Sequence, residues 1–374
     1  MKHENHAIGL ITMPIGKAGM NPMLNMIRIM LHFNYRLFIV TGNEFTKESI
    51  SNGNVSVCSL HYDYDVDNFR KPFNFFLMQL KISRNILKMR RKVDFLVFLY
   101  GSDLTLPLLL AKMLGKKVLL VTTGSSAEAS RSIGSPYTKF LRIMEKVSYG
   151  MVDRIVVYSS HLVEEWNLEK HQNKISIAYR HYLNFEQFKV VKDCTERKML
   201  IGFVGRLSQE KGVLEFVKAV PLILEKRPDL NFIIGGDGSL RDNIEKFVAK
   251  NNLNEKVKLV GWIPHEKLPD YLNELKLFVL PSYTEGLPNL ILEAMACGAP
   301  VLATPVGAIP DVIKDGETGF IMEDNSPECI AKNIIRVLEC PYLEKIVENA
   351  RELVENEFTY EKAVEKWREI FEWI

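Results

Sequence analysis

Two acids and two cations, carried on segments far apart in the chain, have the types and spacing to hold a phosphorylated sugar. In SYTEGLPNLILEAMACGAPVLAT, Glu285 and Gly286 sit in a turn after the strand-like LFVLPS, and Pro288 suits the first turn of a helix. A helix beginning there points free backbone N–H groups and its positive dipole end at the strand mouth, where an anion is welcome. Glu293 follows Glu285 by eight residues, roughly two helical turns, so it can lie one level deeper on the same side. Two carboxylates in one cleft accept hydrogen bonds from sugar and ribose hydroxyls. Taken alone, each also suits a solvated position.

The cations come from IGFVGRLSQEKGV. Its strand ends at Gly205, and Arg206 and Lys211 follow on the loop and early helix. A planar fork and a point charge both suit diphosphate oxygens, and both would offset charge growing on a departing nucleoside diphosphate. Gly16 and Gly19 in MPIGKAGMNP follow the first strand and would let backbone N–H groups approach phosphate. GGDGSL, at Gly235 to Leu240, lacks the third glycine of a dinucleotide fingerprint and reads as a turn near the nucleotide.

These segments need strand ends to stand on. HAIGLIT, YRLFIVTG, DFLVFLYG, KKVLLVTTG and DRIVVYSS read as strands in the first half. MLIGFVGR, NFIIGGDG, KVKLVGW, LKLFVLPSY, APVLATP and TGFIME repeat the rhythm in the second. Apolar strands separated by helices imply parallel sheets covered on both faces, hence an α/β protein of two Rossmann-like domains with the site in the cleft between them. The chain of 374 residues is also longer than one core usually serves. The expected division is 1–190 and 191–359, within the polar stretch 180–198. Residues 360–374 should form a helix burying Ala363, Trp367, Ile370, Phe371 and Ile374.

Composition narrows the class. Hydrophobic residues at 47% and charged residues at 25% are ordinary for a folded protein. Residues 1–190 carry 25 Lys or Arg against 15 Asp or Glu, a surplus of ten positive charges, so the rest of the chain carries a deficit of eight. The five cysteines are scattered without Cys-x-x-Cys, which argues against a zinc site and suits a reducing cytosol. The eight histidines, including His161, His171 and His181 at ten-residue intervals, fit no ligand spacing and read as structural or solvated. The opening residues do not read as a signal peptide, and no apolar run spans a bilayer, so a soluble or peripheral cytoplasmic protein is expected.

GFVGRLSQEKG, IIGGDGSL, VGWIP, PSYTEGLPNLILEAMACGAPVLATPVGAIPDVI and DGETGF, spread over residues 199–323, together resemble the C-terminal half of family 4 retaining glycosyltransferases of GT-B fold. The resemblance implies that Arg206 and Lys211 bind the diphosphate. It implies that Glu285, the first acid of a Glu-x7-Glu motif, contacts the donor sugar, and that Glu293, the second, contacts the ribose. Gly205 and the backbone of Gly286, Leu287, Pro288 and Asn289 would meet sugar or phosphate, and Gly16 would match the N-terminal loop glycine. The C-terminal helix would cross back to the first domain. One departure stands out: where many relatives carry a histidine facing the sugar, this chain has Thr122, Thr123, Gly124, Ser125 and Ser126. Thr123, Gly124 and Ser125 are therefore acceptor-side candidates, with no imidazole among them. The resemblance implies a retaining sugar transfer, with no bound metal or other cofactor, from a UDP- or GDP-sugar to an acceptor hydroxyl in glycolipid, lipid-linked oligosaccharide or surface polysaccharide synthesis. A nucleotide-sugar 2-epimerase of similar build and a non-catalytic nucleotide-sugar-binding subunit are the alternatives.

Residues 69–92 hold eight Lys or Arg and no acid. On a helix, Lys81, Arg84, Lys88 and Arg91 form one face and Phe75, Met78, Ile82, Ile86 and Met89 another. Such a helix packs on the sheet, and it can also meet an anionic membrane surface. No nucleic-acid reader motif accompanies it.

Overall fold

The computed structural model describes residues 6–16, 19–43, 45, 50, 52–63, 70–122, 124–132 and 134–373, less the side chains of Ala129 and Ser132. Thr123 and Ile374, both named above, lie outside the described residues.

The chain divides into two units, Met1–His181 with Glu361–Ile374, and Tyr182–Tyr360. The first is built on a seven-stranded sheet of β1 (Ala7–Ile11), β2 (Arg36–Gly42), β3 (Val55–Leu60), β4 (Phe95–Leu99), β5 (Lys117–Val121), β6 (Arg154–Val157) and β7 (Ile175–Ile177). Their spatial order is β3-β2-β1-β4-β5-β6-β7. All pairs are parallel: Ile8 of β1 lies beside Leu37 of β2 on one side and Phe95 of β4 on the other. β1 and β4 are buried along their whole length, as strands covered by helices on both faces must be. The sequence pattern missed β3 and β7. Both are edge strands with half-exposed positions, so neither presents a continuous apolar run.

The second unit holds a six-stranded parallel sheet of β8 (Leu200–Val204), β9 (Asn231–Gly235), β10 (Val257–Gly261), β11 (Leu277–Leu280), β12 (Val301–Ala303) and β13 (Phe320–Ile321). Its order is β10-β9-β8-β11-β12-β13. The chain runs outward from β8 to β10, then returns to lay β11 on the other side of β8. The connections that follow β8 and β11 therefore diverge from a point at the carboxyl end of the sheet, where such folds bind ligands. Helix Val213–Lys226, after β8, buries Val213, Phe216, Val217, Val220 and Ile223 at helical spacing and packs against helix Pro327–Leu338.

The polar stretch 180–198 is not a free linker. The two units part between His181 and Tyr182, and most of the stretch is tied into the second unit by the buried Arg197. Its guanidinium donates to the carbonyls of Lys192, Leu272, Leu275 and Cys297 at 2.6–3.2 Å. The C-terminal helix, Tyr360–Glu372, buries Ala363, Trp367, Ile370 and Phe371. Phe371 packs edge-on against Phe33 and Tyr35, and the Trp367 indole donates to the Tyr179 carbonyl at 3.1 Å, so the helix completes the first unit's core.

Candidate functional site

In the second unit, Lys211 and Glu285 meet at the point where strand order reverses. Lys211 closes a single 3-10 turn, Gln209–Lys211, after β8, and its Nζ donates to Glu285 Oε1 at 2.6 Å. Ser282, in the loop after β11, donates its hydroxyl to the same oxygen at 2.7 Å. The Glu285 side chain is 7% exposed and that of Lys211 22%. This carboxylate is thus held by a cation and a hydroxyl in a largely water-excluded place.

Two glycines make that approach possible. Gly212, at φ +65°, lies against the β11 loop so closely that a Cβ there would stand 1.9 Å from the Pro281 carbonyl oxygen. Only a residue without a side chain lets the β8 loop press on the β11 loop, carrying the preceding Lys211 to Glu285. Gly307, at φ +62°, would put a Cβ 2.2 Å from the Glu285 carbonyl oxygen. The Ala308 N–H donates to the Gly286 carbonyl at 2.7 Å, so the loop after β12 supports the turn from below.

Arg206 is exposed, and its Nη1 lies 3.4 Å from Glu210 Oε1. Glu210 also accepts from the Ser208 hydroxyl at 2.6 Å, and its carbonyl accepts from the Tyr283 N–H at 2.9 Å, a second tie between the two loops. Arg206 shares a loop with Lys211 but pairs with Glu210 rather than Glu285. Pro288 stands at the N-cap of helix Asn289–Ala296, one residue before the first turn expected for it. Among the described residues no side chain caps this helix and no acid occupies its first turn, while its Ile291 N–H donates to the Pro288 carbonyl at 3.2 Å. Gly286, Pro288 and Asn289 are partly exposed there, whereas Leu287 is buried and offers only backbone.

Glu293 is buried one turn into that helix, and its carboxylate bonds His265 rather than Glu285. Its Oε1 is 2.8 Å from His265 Nε2. His265, in the loop after β10, stacks on Phe188 with ring centroids 5.2 Å apart. Its hydrogen bond to the Glu293 carboxylate raises its pKa above the ordinary histidine value, against the smaller opposing effect of burial. Of the histidines expected to be structural or solvated, His265 is tied to a buried carboxylate. The signal was local only in part: WIPHEK follows a strand end, but its partner lies 28 residues further on.

The first unit places its candidates otherwise. Gly16 is exposed in the loop after β1. Gly124 is exposed after β5, its carbonyl accepting from the Thr122 hydroxyl at 3.2 Å. Ser125 is buried with its hydroxyl spoken for: it donates to Glu145 Oε2 at 2.9 Å and accepts from the Glu128 N–H at 3.1 Å. Glu145 also takes the Ser126 N–H at 2.7 Å, so it anchors the start of helix Ser126–Ser132. Burial raises the Glu145 carboxyl, and burial pushes the neighbouring Asp103 up to about 6. Among the described residues no group of His, Cys, Asp and Glu is arranged to hold a metal ion.

The sequence profile described as Glycosyl transferases group 1 matches residues 184–353, almost the whole second unit. MJ1069, a glycosyltransferase of Methanocaldococcus jannaschii, is 28% identical over 361 residues, which cover 91% of this chain and 90% of its own. The second unit is a group 1 glycosyltransferase domain. CapM of Staphylococcus aureus, a capsular polysaccharide biosynthesis glycosyltransferase, is 29% identical over 59% of this chain and 61% of its own length. Sucrose-phosphate synthase from Thermosynechococcus elongatus superposes with a TM-score of 0.80 over 98% of both chains at 18% identity. Anabaena HepE, solved in complex with UDP-glucose, superposes at 0.76 over 98% of this chain and all of its own, at 14% identity. At such identities the likeness concerns the fold: the two Rossmann-like units of this chain are those of the GT-B architecture.

Proposed function

We propose that the second unit binds a UDP- or GDP-sugar and that the enzyme transfers the sugar, with retention at the anomeric carbon, to a hydroxyl of a glycan or lipid-linked acceptor. Arg206 and Lys211 take the diphosphate, Glu285 the donor sugar and Glu293 the ribose, with the backbone of Gly286 to Asn289 against sugar or phosphate. The observation that supports this most is the Lys211–Glu285 pair at the reversal of strand order: one cation and one acid, 74 residues apart, stand on a single spot. As the anomeric C–O bond breaks, its electron pair goes to the β-phosphate oxygen, where the two cations offset the charge. The acceptor oxygen bonds to the same face of the anomeric carbon, and its proton leaves with the phosphate oxygen. That course requires no imidazole at 122–126, where the sequence has none.

Gly16 belongs to the donor site in this reading and the Thr123–Ser125 loop to the acceptor side, with Ser125 orienting the loop through Glu145 rather than meeting substrate. The acceptor lies at the inner face of the cell membrane. The test is a thermal-shift screen with UDP, GDP and ADP, followed by their sugars, then incubation of the stabilising sugar with and without acceptor. Stabilisation by one nucleoside diphosphate and acceptor-dependent release of it support the reading. A new nucleotide sugar formed without acceptor would mean an epimerase, and affinity without turnover over a broad acceptor panel would mean a binding subunit.

A further inference from the structure

Three neighbouring helices of the first unit carry an outward face that its core does not use. Helix Lys71–Met89 buries Met78, Ile82, Ile86 and Met89, yet Phe73, Phe76 and Leu80 are exposed in one stripe, continued by Arg84 and Leu87. Helix Thr105–Met113 packs beside it and exposes Leu109 and Met113, one turn apart. Helix Thr138–Met151 packs on the far side of that and exposes Phe140, Ile143 and Val147, with Lys139, Arg142 and Lys146 forming the adjacent stripe. The three follow β3, β4 and β5 in crossovers that advance the same way along the sheet, so right-handed connection puts them all on one side of it. Phe73 is 64% exposed, Ile143 63% and Met113 76%.

Charge decides what covers this face. The exposed charges of helix Lys71–Met89 are all positive, and no carboxylate lies within ion-pair distance of Lys81, Arg84, Lys88, Lys139 or Lys146 among the described residues. Of the described acids beside helices Thr105–Met113 and Thr138–Met151, Glu128 pairs with Arg131 and Arg142, Asp153 with Lys112, and Glu145 is buried. A second copy meeting this face about a two-fold axis would set cation against cation. Apolar stripes flanked by lysine and arginine instead match a bilayer surface, with rings and alkyl chains among the acyl chains and cations at anionic headgroups.

We propose that these three helices form a docking surface for an anionic membrane, and that Phe73, Phe76 and Phe140 enter its interface. The proposal deepens the membrane-facing part of the reading above and is independent of the donor chemistry. The full chain should sediment with vesicles of phosphatidylcholine and phosphatidylglycerol, not with phosphatidylcholine alone, and binding should weaken as salt rises. K81Q/R84Q/K88Q should lower partitioning about a hundredfold, at about fivefold per cation. F73S/F140S should lower it at least tenfold, and since both rings are exposed, folding and nucleotide-induced thermal shift should be unchanged. Equal sedimentation with neutral vesicles, or partitioning indifferent to both variants, would overturn the proposal. So would lipid-independent self-association that F73S/F140S abolishes. Intact nucleotide stabilisation without vesicle binding would sink the surface alone, and vesicle binding without nucleotide stabilisation would sink the donor reading alone.

Discussion

Replacing Lys211 by Met removes the cation 2.6 Å from Glu285 and leaves that carboxylate with the Ser282 hydroxyl. Stranding one partner of a fully buried ion pair costs about 3–5 kcal/mol. Here Glu285 is 7% exposed but Lys211 22%, and Ser282 still donates, so about 2 kcal/mol is the working figure. For a unit of this size that lowers Tm by about 4–8 °C. Glu285→Gln, which leaves a partly exposed lysine able to hydrate, should cost about 1 kcal/mol. The double variant K211M/E285Q should be more stable than the sum predicts, with a coupling of about 1–2 kcal/mol in denaturant titrations. Turnover should separate from stability: K211M loses roughly a hundredfold to a thousandfold in kcat, the scale for removing one group that stabilises developing charge, and the double variant does not recover it. Additive stabilities, or near-normal turnover by K211M, would refute the reasoning.

Arg206→Ala should cost little stability, since its guanidinium is exposed and, among the described residues, pairs with Glu210 alone, while sugar transfer falls about a hundredfold; transfer close to that of the parent enzyme would remove its assigned role. Gly212→Ala forces a side chain into a left-handed backbone and toward the Pro281 carbonyl, and should cost about 3 kcal/mol by denaturant unfolding and raise the donor KM by displacing Lys211. The His265–Glu293 contact stabilises the charged imidazole, so its contribution is fully present below the ordinary histidine pKa and is lost as pH rises through the raised value. His265→Gln should flatten the fall in Tm from slightly acid to slightly alkaline pH; an unchanged slope would mean that another group carries it.

The sequence exposed the parts of the fold in which local pattern and burial agree. All eleven strands read from it lie in the interior of a sheet or in the second unit, where apolar runs are continuous and turns end in small residues. β3 and β7 escaped because edge strands are half solvated, and a Val-Ser-Val-Cys-Ser alternation or a three-residue run carries too little hydrophobic signal. Glu285, Lys211 and Arg206 could be chosen because each follows a strand end in a recognisable phrase. His265 could not, since its chemistry depends on a carboxylate brought to it by packing. Nor could the burial of Ser125, which arises from Glu145 reaching back from the next helix. Exposure of Phe73 and Phe140 was equally hidden, because an apolar residue on an amphipathic helix gives no sign of which side the sheet will cover.

The return of the C-terminal helix to the first unit orders biosynthesis. Tyr182–Tyr360 is continuous, so it can fold as soon as it has left the ribosome. The first unit, begun earlier, must wait until Trp367 and Phe371 are made to cover Phe33 and Tyr35. A nascent chain thus holds a finished second unit while the first is still incomplete, and a nonsense mutation just before residue 361 would spare the former while leaving the latter prone to proteolysis.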